Sequence, residues 1–403
     1  MRSLLLISIL AACGPGNRHD DFWDAPAKPI DAPCPTAITG KVYAPNGTMP
    51  LYNVQVYVPF NNPGPFTEGV TCDQCSSGLP GGDIAHTTSA SDGSFRLEGV
   101  VPGKDIPLII TIGKWRRMFT VPQVAACVDT PVPDHTLKLP KNRTEGDIPR
   151  IAVVTGGCDP LGCILSKIGI DSSEFGDRSS GPTRVVFYNG SGGTAPGTPQ
   201  TAQTLWGNIT ELSKFDVVIN SCECDEYNTE KTSPDVLRQY ADIGGRVFGS
   251  HYHYTWMKNL IPQWQPTASW TSASTTTPDL VDMSFGKGKA LAEWLIAVGA
   301  STTLGEVTLG TKTYNVGTVN PPTQRWLYAS GGPPATTHYM SFNTPVGVAP
   351  EQQCGKVVYA GLHVSSGSVG TTFPSSCSAS FTPDEKALAF LMFDLSSCVN
   401  QVF

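Results

Sequence analysis

The chain has 403 residues, a formal net charge of −7 and only 15% charged residues. It is long enough for two or three domains, and its acidity excludes nucleic acid or another acidic polymer as the main partner. Forty-one glycines, 34 prolines and 12 cysteines give the texture of a secreted, loop-rich, strand-containing protein whose cysteines read as disulfides.

The first segment in chain order runs from Met1 to Cys13. Arg2 supplies a positive start, and Leu4 to Leu10 form an apolar run well short of the roughly 20 residues a membrane span takes. Leu10-Ala11-Ala12-Cys13 follows directly. The pattern resembles a bacterial lipoprotein signal, which implies removal of residues 1–12 and a lipid on Cys13. The expected partner is therefore a membrane, held through that lipid, and the expected address is the cell envelope. Gly14 in place of the Asp that retains lipoproteins at the inner membrane implies the outer membrane, at its periplasmic or surface face. Residues 13–35 are polar and Pro-rich and read as a tether. No later stretch reaches the length of a membrane span.

Residues 36–140 alternate short strands with turns. Ala37 to Tyr43 is a strand, Pro45-Asn46-Gly47 a turn, and Val54 to Val58 has period two. Ser91 to Ser94 is a tight turn before Phe95-Arg96-Leu97, and strands follow at Pro107–Ile112 and Arg117–Val121. These runs, with Gly-x-Val first and Asp92-Gly93 before the Phe95 strand, resemble the carboxypeptidase regulatory-like domains. The resemblance implies a small transthyretin-like β-sandwich, a spacer or binding module without catalytic residues.

From about residue 148 the rhythm changes to apolar strands alternating with helices, which predicts an α/β domain with a parallel sheet, extending to residue 403. Strands are expected at Arg150–Thr155, Arg184–Tyr188, Phe215–Asn220, Arg246–Ser250, His338–Phe342 and Lys356–Ala360. Helices are expected at Leu161–Ile168, Gln203–Leu212, Ser233–Ile243 and Lys289–Val298. Thr382 and Glu385 form a capping box for a last helix whose Leu388, Leu391, Met392 and Leu395 share one face. Residues 255–330, rich in Trp, Thr, Ser and Pro, read as an insertion or lid.

The passage from Lys214 to Tyr254, with Gly244-Gly245 before its second strand, resembles the glutamine-amidotransferase-like fold, in particular its trehalose-utilisation-type branch. Cys354 to Val364 looks like the closing strand. The resemblance implies a flavodoxin-like α/β sheet. In that family a cysteine nucleophile stands on the turn after the second strand. Here His251 takes that position, so glutamine hydrolysis by a thiolate is not implied. Overall the chain is expected to be multidomain, a β-sandwich plus a flavodoxin-like parallel sheet.

Ligands of open parallel sheets bind beyond the carboxyl ends of the strands. Polar side chains collect there: Asp159, Glu223, Asp225, Glu226, His251, His253 and His363. Imidazoles with carboxylates suit a divalent metal or acid–base catalysis. They equally suit hydrogen bonds that fasten loops. Glu223, His251, His253 and His363 are the candidate catalytic or ligand-binding residues. Trp256, Trp264 and Trp270, with Tyr252 and Tyr254, either pack the insertion onto the sheet or stack on sugar rings.

The remaining cysteines fall in three local groups: Cys34, Cys72, Cys75 and Cys127; Cys158, Cys163, Cys222 and Cys224; Cys354, Cys377 and Cys398. Bridges are expected inside the groups, with at least one of the eleven thiols left over. Cys72-Asp-Gln-Cys75 lies in a Gly/Pro/Ser loop, which favours disulfides over a redox or zinc role. The function expected from sequence is a non-enzymatic envelope lipoprotein binding a carbohydrate or protein, with no cofactor. The alternative is a secreted hydrolase acting on a carbohydrate or cell-envelope substrate at a cleft around His251.

Overall fold

Short alternating runs broken by Gly, Pro and Asn-Gly cannot build long helices. The described residues up to about 140 are accordingly built mainly of strands. The computed structural model describes residues 34–271, 277–331, 336–364, 369–370, 372–377 and 380–399. The signal-like segment with Cys13, and the tether up to residue 33, lie outside the described residues. β1 (Ala37–Tyr43), β2 (Gln55–Pro59), β3 (Asp83–Thr88), β4 (Ser94–Glu98), β5 (Gly103–Ile112), β6 (Trp115–Val124), β7 (Asp129–Pro131) and β8 (Leu137–Lys138) form two four-stranded sheets. One has the order β4-β1-β7, with β8 also on β1; the other has the order β3-β2-β5-β6. Ile38, Val42 and Leu97 from the first and Val56, Leu108 and Ile110 from the second lie in one apolar core.

The rest of the chain is mixed α/β. Its first half comprises β9 (Ile151–Thr155), α1 (Leu161–Lys167), β10 (Phe175–Gly176), β11 (Val185–Asn189), α2 (Ala202–Trp206), α3 (Ile209–Leu212), β12 (Val217–Asn220), α4 (Pro234–Asp242) and β13 (Arg246–Ser250). Its second half comprises β14 (Asp279–Val281), α5 (Gly286–Ala297), β15 (Glu306–Val307), β16 (Thr311–Lys312), β17 (Gln324–Ala329), β18 (Thr337–Thr344), β19 (Gly355–Ala360), β20 (Leu362–His363) and α6 (Pro383–Ser396). Ten strands form one sheet in the order β10-β11-β9-β12-β13-β19-β18-β17-β14-β15. The pairs from β10 through β19 are parallel, and those from β19 through β15 are antiparallel.

Successive residues of a strand point to opposite faces, so a continuous apolar run means burial on both sides. Ile151 and Val153 enter the core that contains α1, α5 and α6, while Ala152 and Val154 enter the core that contains α2 and α4. The same alternation recurs at Val217 and Ile219 against Val218, and at Val358 against Val357 and Tyr359. The α6 core is continuous with that of the two small sheets. Trp115 meets Phe393 at 6.1 Å and Tyr52 stacks on Phe390 at 5.7 Å between ring centroids. This explains why α6 is buried on more than the expected single face: Phe390 and Phe393 are as enclosed as Leu388 and Leu391. The residues from Pro35 onward form one compact unit.

Three expectations change. Gln203–Leu212 is two short helices, because Gly207 and Asn208 interrupt it and the Asn208 side chain caps α3 by accepting from the Glu211 N–H. The 255–330 stretch is not simply a lid, since β14, β15 and β17 extend the main sheet on its antiparallel side. Bridges do not stay within the local cysteine groups. Cys72 pairs with Cys354, Cys75 with Cys398, and Cys163 with Cys377. Cys158–Cys224 joins two members of one group. Cys34 and Cys127 are disulfide-bonded as well. The capping box at Thr382 and Glu385 forms as the spacing requires. Among the described residues, no helix is long and apolar enough to cross a membrane.

Close packing of α4 on the sheet depends on a missing side chain. A Cβ on Gly355, the first residue of β19, would lie 1.8 Å from Ala241 O and 2.6 Å from Thr344 Oγ1. Gly355→Ala is expected to cost about 1–3 kcal/mol by overpacking, read as a lower denaturant midpoint with an unchanged m-value.

Candidate active site

Four parallel strands end side by side, and the residues just beyond them carry the polar groups. Asn220 is level with Gly249, and Ser250 with Ala360. Cys222 lies two residues past β12 and His251 one past β13. Asp159 lies four past β9. β19 gives way after Gly361 to β20, which pairs with β16 and sets His363 opposite Thr311. Gly156 lets the loop after β9 approach β12, because a Cβ there would meet Cys222 O at 2.1 Å.

Cys222, His251 and His363 come together. One donor atom from each lies within 4.8 Å of the others. Cys222 Sγ is 3.6 Å from His251 Nδ1, and the two imidazoles stand perpendicular with centroids 4.6 Å apart. Cys222 is fully buried and is the free cysteine among the described residues. The expectation that it closes a disulfide fails, because Cys224 reaches back to Cys158 instead. The residue after β13 adopts φ +36°, a conformation that costs a non-glycine residue about 1–3 kcal/mol and is concentrated at functional sites.

Asp159 underlies this trio. Its Oδ2 accepts from Ser250 Oγ at 2.6 Å, and its Oδ1 accepts from the Val364 N–H at 2.9 Å. His363 Nδ1 lies 3.3 Å from the same Oδ1, an ion-pair contact rather than a well-aligned hydrogen bond. Ser250 Oγ in turn accepts from the Cys222 N–H at 2.9 Å, so one serine ties the cysteine strand to the aspartate. Burial favours neutral His363, but Asp159 and then Cys222 outweigh it and hold the imidazole up at about 10. Burial pushes the Asp159 carboxyl above its ordinary range. His251 is pushed down to about 3, by burial first and by His363 second, with the Asn315 side chain acting in the opposite direction.

The other candidates go elsewhere. His253, two residues from His251, turns to the opposite side. Its Nδ1 accepts from the Trp256 indole at 3.1 Å and its Nε2 lies 2.9 Å from Ser221 O, which fixes the proton on Nε2. Burial first, and then Lys231, push its pKa down to about 3. Glu223 pairs with buried Lys231 at 2.7 Å and accepts from the Ser191 N–H at 2.8 Å. Lys231 Nζ also sits 5.1 Å from the Trp206 ring and 5.8 Å from the Trp256 ring. Glu223 and His253 therefore belong to a closed structural network. Asp225 is exposed and Glu226 accepts from Tyr254 OH. Trp256 and Trp264 are core residues, as packing of the stretch predicts, while Tyr252 and Trp270 are half-buried.

Sequence reading missed Cys222 and Asn315. The odd cysteine count signalled a leftover thiol without saying which. Asn315 comes from the 255–330 stretch, with no motif to mark it.

No family model matches the chain, and no curated protein matches it. Several solved structures are similar in part. A candidate GMP synthase subunit from Thermoplasma acidophilum is 10% identical, with 61% of this chain and 92% of that chain covered and a TM-score of 0.34. A ThuA-like protein from Bacteroides uniformis is 11% identical over 60% of this chain and 90% of its own, also at 0.34. A cytoplasmic protein from Salmonella typhimurium is 12% identical over 62% and 98%, at 0.31.

Proposed function

We propose that the chain is a hydrolase of the cell envelope, anchored through lipid on Cys13, with Cys222, His251, His363 and Asp159 as its working residues. The 36–140 portion is then a carboxypeptidase regulatory-like spacer. The observation that supports this reading is the convergence of one free thiol and two imidazoles beyond the carboxyl ends of parallel strands, with a buried carboxylate behind one imidazole. A purely binding surface has no need to bring three chemically reactive groups within 4.8 Å of one another. Asp159 acts as a positioning residue: it fixes the ring of His363 and, through Ser250, the strand that carries Cys222.

Turnover of a panel of chromogenic esters, amides, glycosides and phosphate esters by the disulfide-bonded protein tests this. One class is expected to be hydrolysed. Asp159→Asn and His363→Asn are expected to lower kcat/KM by about 100-fold or more, the usual scale for a group acting in the transition state. Both variants should keep the wild-type melting profile to within a few degrees. An inert wild-type protein, or variants at the full rate, would overturn the proposal.

A further inference from the structure

We propose that Cys222, His251 and His363 bind one divalent cation of the zinc type. The inference deepens the hydrolytic reading, since a cation there supplies what activates water, but the site itself rests on geometry alone. Tetrahedral zinc, with Zn–S about 2.3 Å and Zn–N about 2.05 Å, places sulfur and nitrogen about 3.5 Å apart. Cys222 Sγ and His251 Nδ1 are 3.6 Å apart. The three donor atoms already lie within 4.8 Å of one another.

The donor chemistry selects the metal. A thiolate with two imidazoles suits zinc and its borderline-soft neighbours and is poor for magnesium or calcium, which take oxygen. Three protein ligands leave a fourth position for water or a substrate oxygen, the arrangement of catalytic rather than structural zinc.

The surroundings match a metal site beyond its ligands. A ligating histidine characteristically has a carboxylate behind its other nitrogen. Asp159 stands 3.3 Å from His363 Nδ1 and is itself fixed by Ser250 and Val364. The Cys224 N–H points at Cys222 Sγ from 3.4 Å, which stabilises a sulfur carrying negative charge. Ten of the eleven described cysteines are disulfide-bonded. Conditions that oxidise those ten leave Cys222 as the thiol, and coordination is a direct way to protect it. Glu223 and His253, the ligands that sequence would have added, are satisfied on the far side by Lys231 and Trp256.

The test uses the full disulfide-bonded chain. It is stripped with a chelator, checked for intact bridges, and titrated with zinc and with cobalt(II). One equivalent of either metal is expected to bind, and cobalt is expected to give a thiolate-to-metal charge-transfer band. Cys222→Ser, nearly isosteric, should abolish that band while the melting profile shows a folded protein. His251→Gln and His363→Gln should each weaken zinc by about 100-fold, and Asp159→Asn by about 10- to 100-fold. Failure of the oxidised wild-type protein to bind either metal, or a band that survives in Cys222→Ser, would sink the proposal. Hydrolysis by a protein that binds neither metal would overturn the metal and leave the hydrolase. One bound equivalent with no turnover of any substrate would leave the metal and overturn the hydrolase.

Discussion

Replacing Cys72 and Cys75 together with serine is expected to remove about 5–8 kcal/mol of stability, comparable to the whole margin of many proteins. These two cysteines sit in one short loop of the β-rich portion. One bridges to Cys354 just before β19, and the other to Cys398 just after α6. The bridges span 282 and 323 residues. In the chain-entropy account a loop of that size restrains the unfolded chain by roughly 5 kcal/mol. The second bridge adds less, because the first has already brought the same two regions together. Losing both frees the strap that holds the small sheets against α6, where Trp115 meets Phe393. Guanidinium unfolding of the double variant should show a much lower midpoint and a steeper m-value, as a less restrained unfolded state exposes more surface. A midpoint shift worth less than about 2 kcal/mol, the low end for a native disulfide, would show that the strap contributes little.

Glu223→Leu is expected to destabilise by about 3–5 kcal/mol, because it strands a buried ammonium. Both side chains of the Glu223–Lys231 pair are 1% exposed and 2.7 Å apart. The indoles of Trp206 and Trp256 soften the loss through their π faces, by about 1–2 kcal/mol at most, and Glu226 O still accepts from Lys231 at 2.7 Å. Lys231→Met should cost a similar amount by leaving the carboxylate alone. Glu223→Leu with Lys231→Met removes both charges, so the pair of changes should cost less than the two single changes added. A double-mutant cycle in urea measures that coupling. Additive losses would mean that the two charges do not interact as their distance implies. The cycle also separates structure from chemistry, since Glu223 directly follows Cys222 in the chain yet faces away from it.

Much of the secondary structure was legible because it is encoded locally. The runs Ile151–Thr155, Val217–Asn220 and Arg246–Ser250 are each a strand buried on both faces. Thr382 and Glu385 close their capping box within four residues. Where a local rule was read too coarsely, local chemistry also explains the difference: Gly207 and Asn208 split one expected helix into two. His251 and His363 could be picked from sequence because strand ends are where open parallel sheets expose side chains. His253 and Glu223 shared that position and could not be told apart from them, because the direction of a side chain in a loop follows from backbone turns such as φ +36° at His251.

The sequence by itself determined most strands and helices outside the 255–330 stretch, and part of the small pool of residues from which a site could be drawn. Those properties follow from periodicity and caps within a few neighbours of each residue. Only the tertiary structure decided that Cys224 pairs with Cys158 and leaves Cys222 free between His251 and His363. It alone placed β14, β15 and β17 on the antiparallel side of the main sheet, and α6 under Tyr52 and Trp115. The physical reason is range. Partners such as Asp159 and His363 or Cys75 and Cys398 are separated by hundreds of residues, and they meet only because the order of strands in the sheet brings their ends together. That order minimises the exposed apolar area of the whole chain, a quantity to which no local pattern has access.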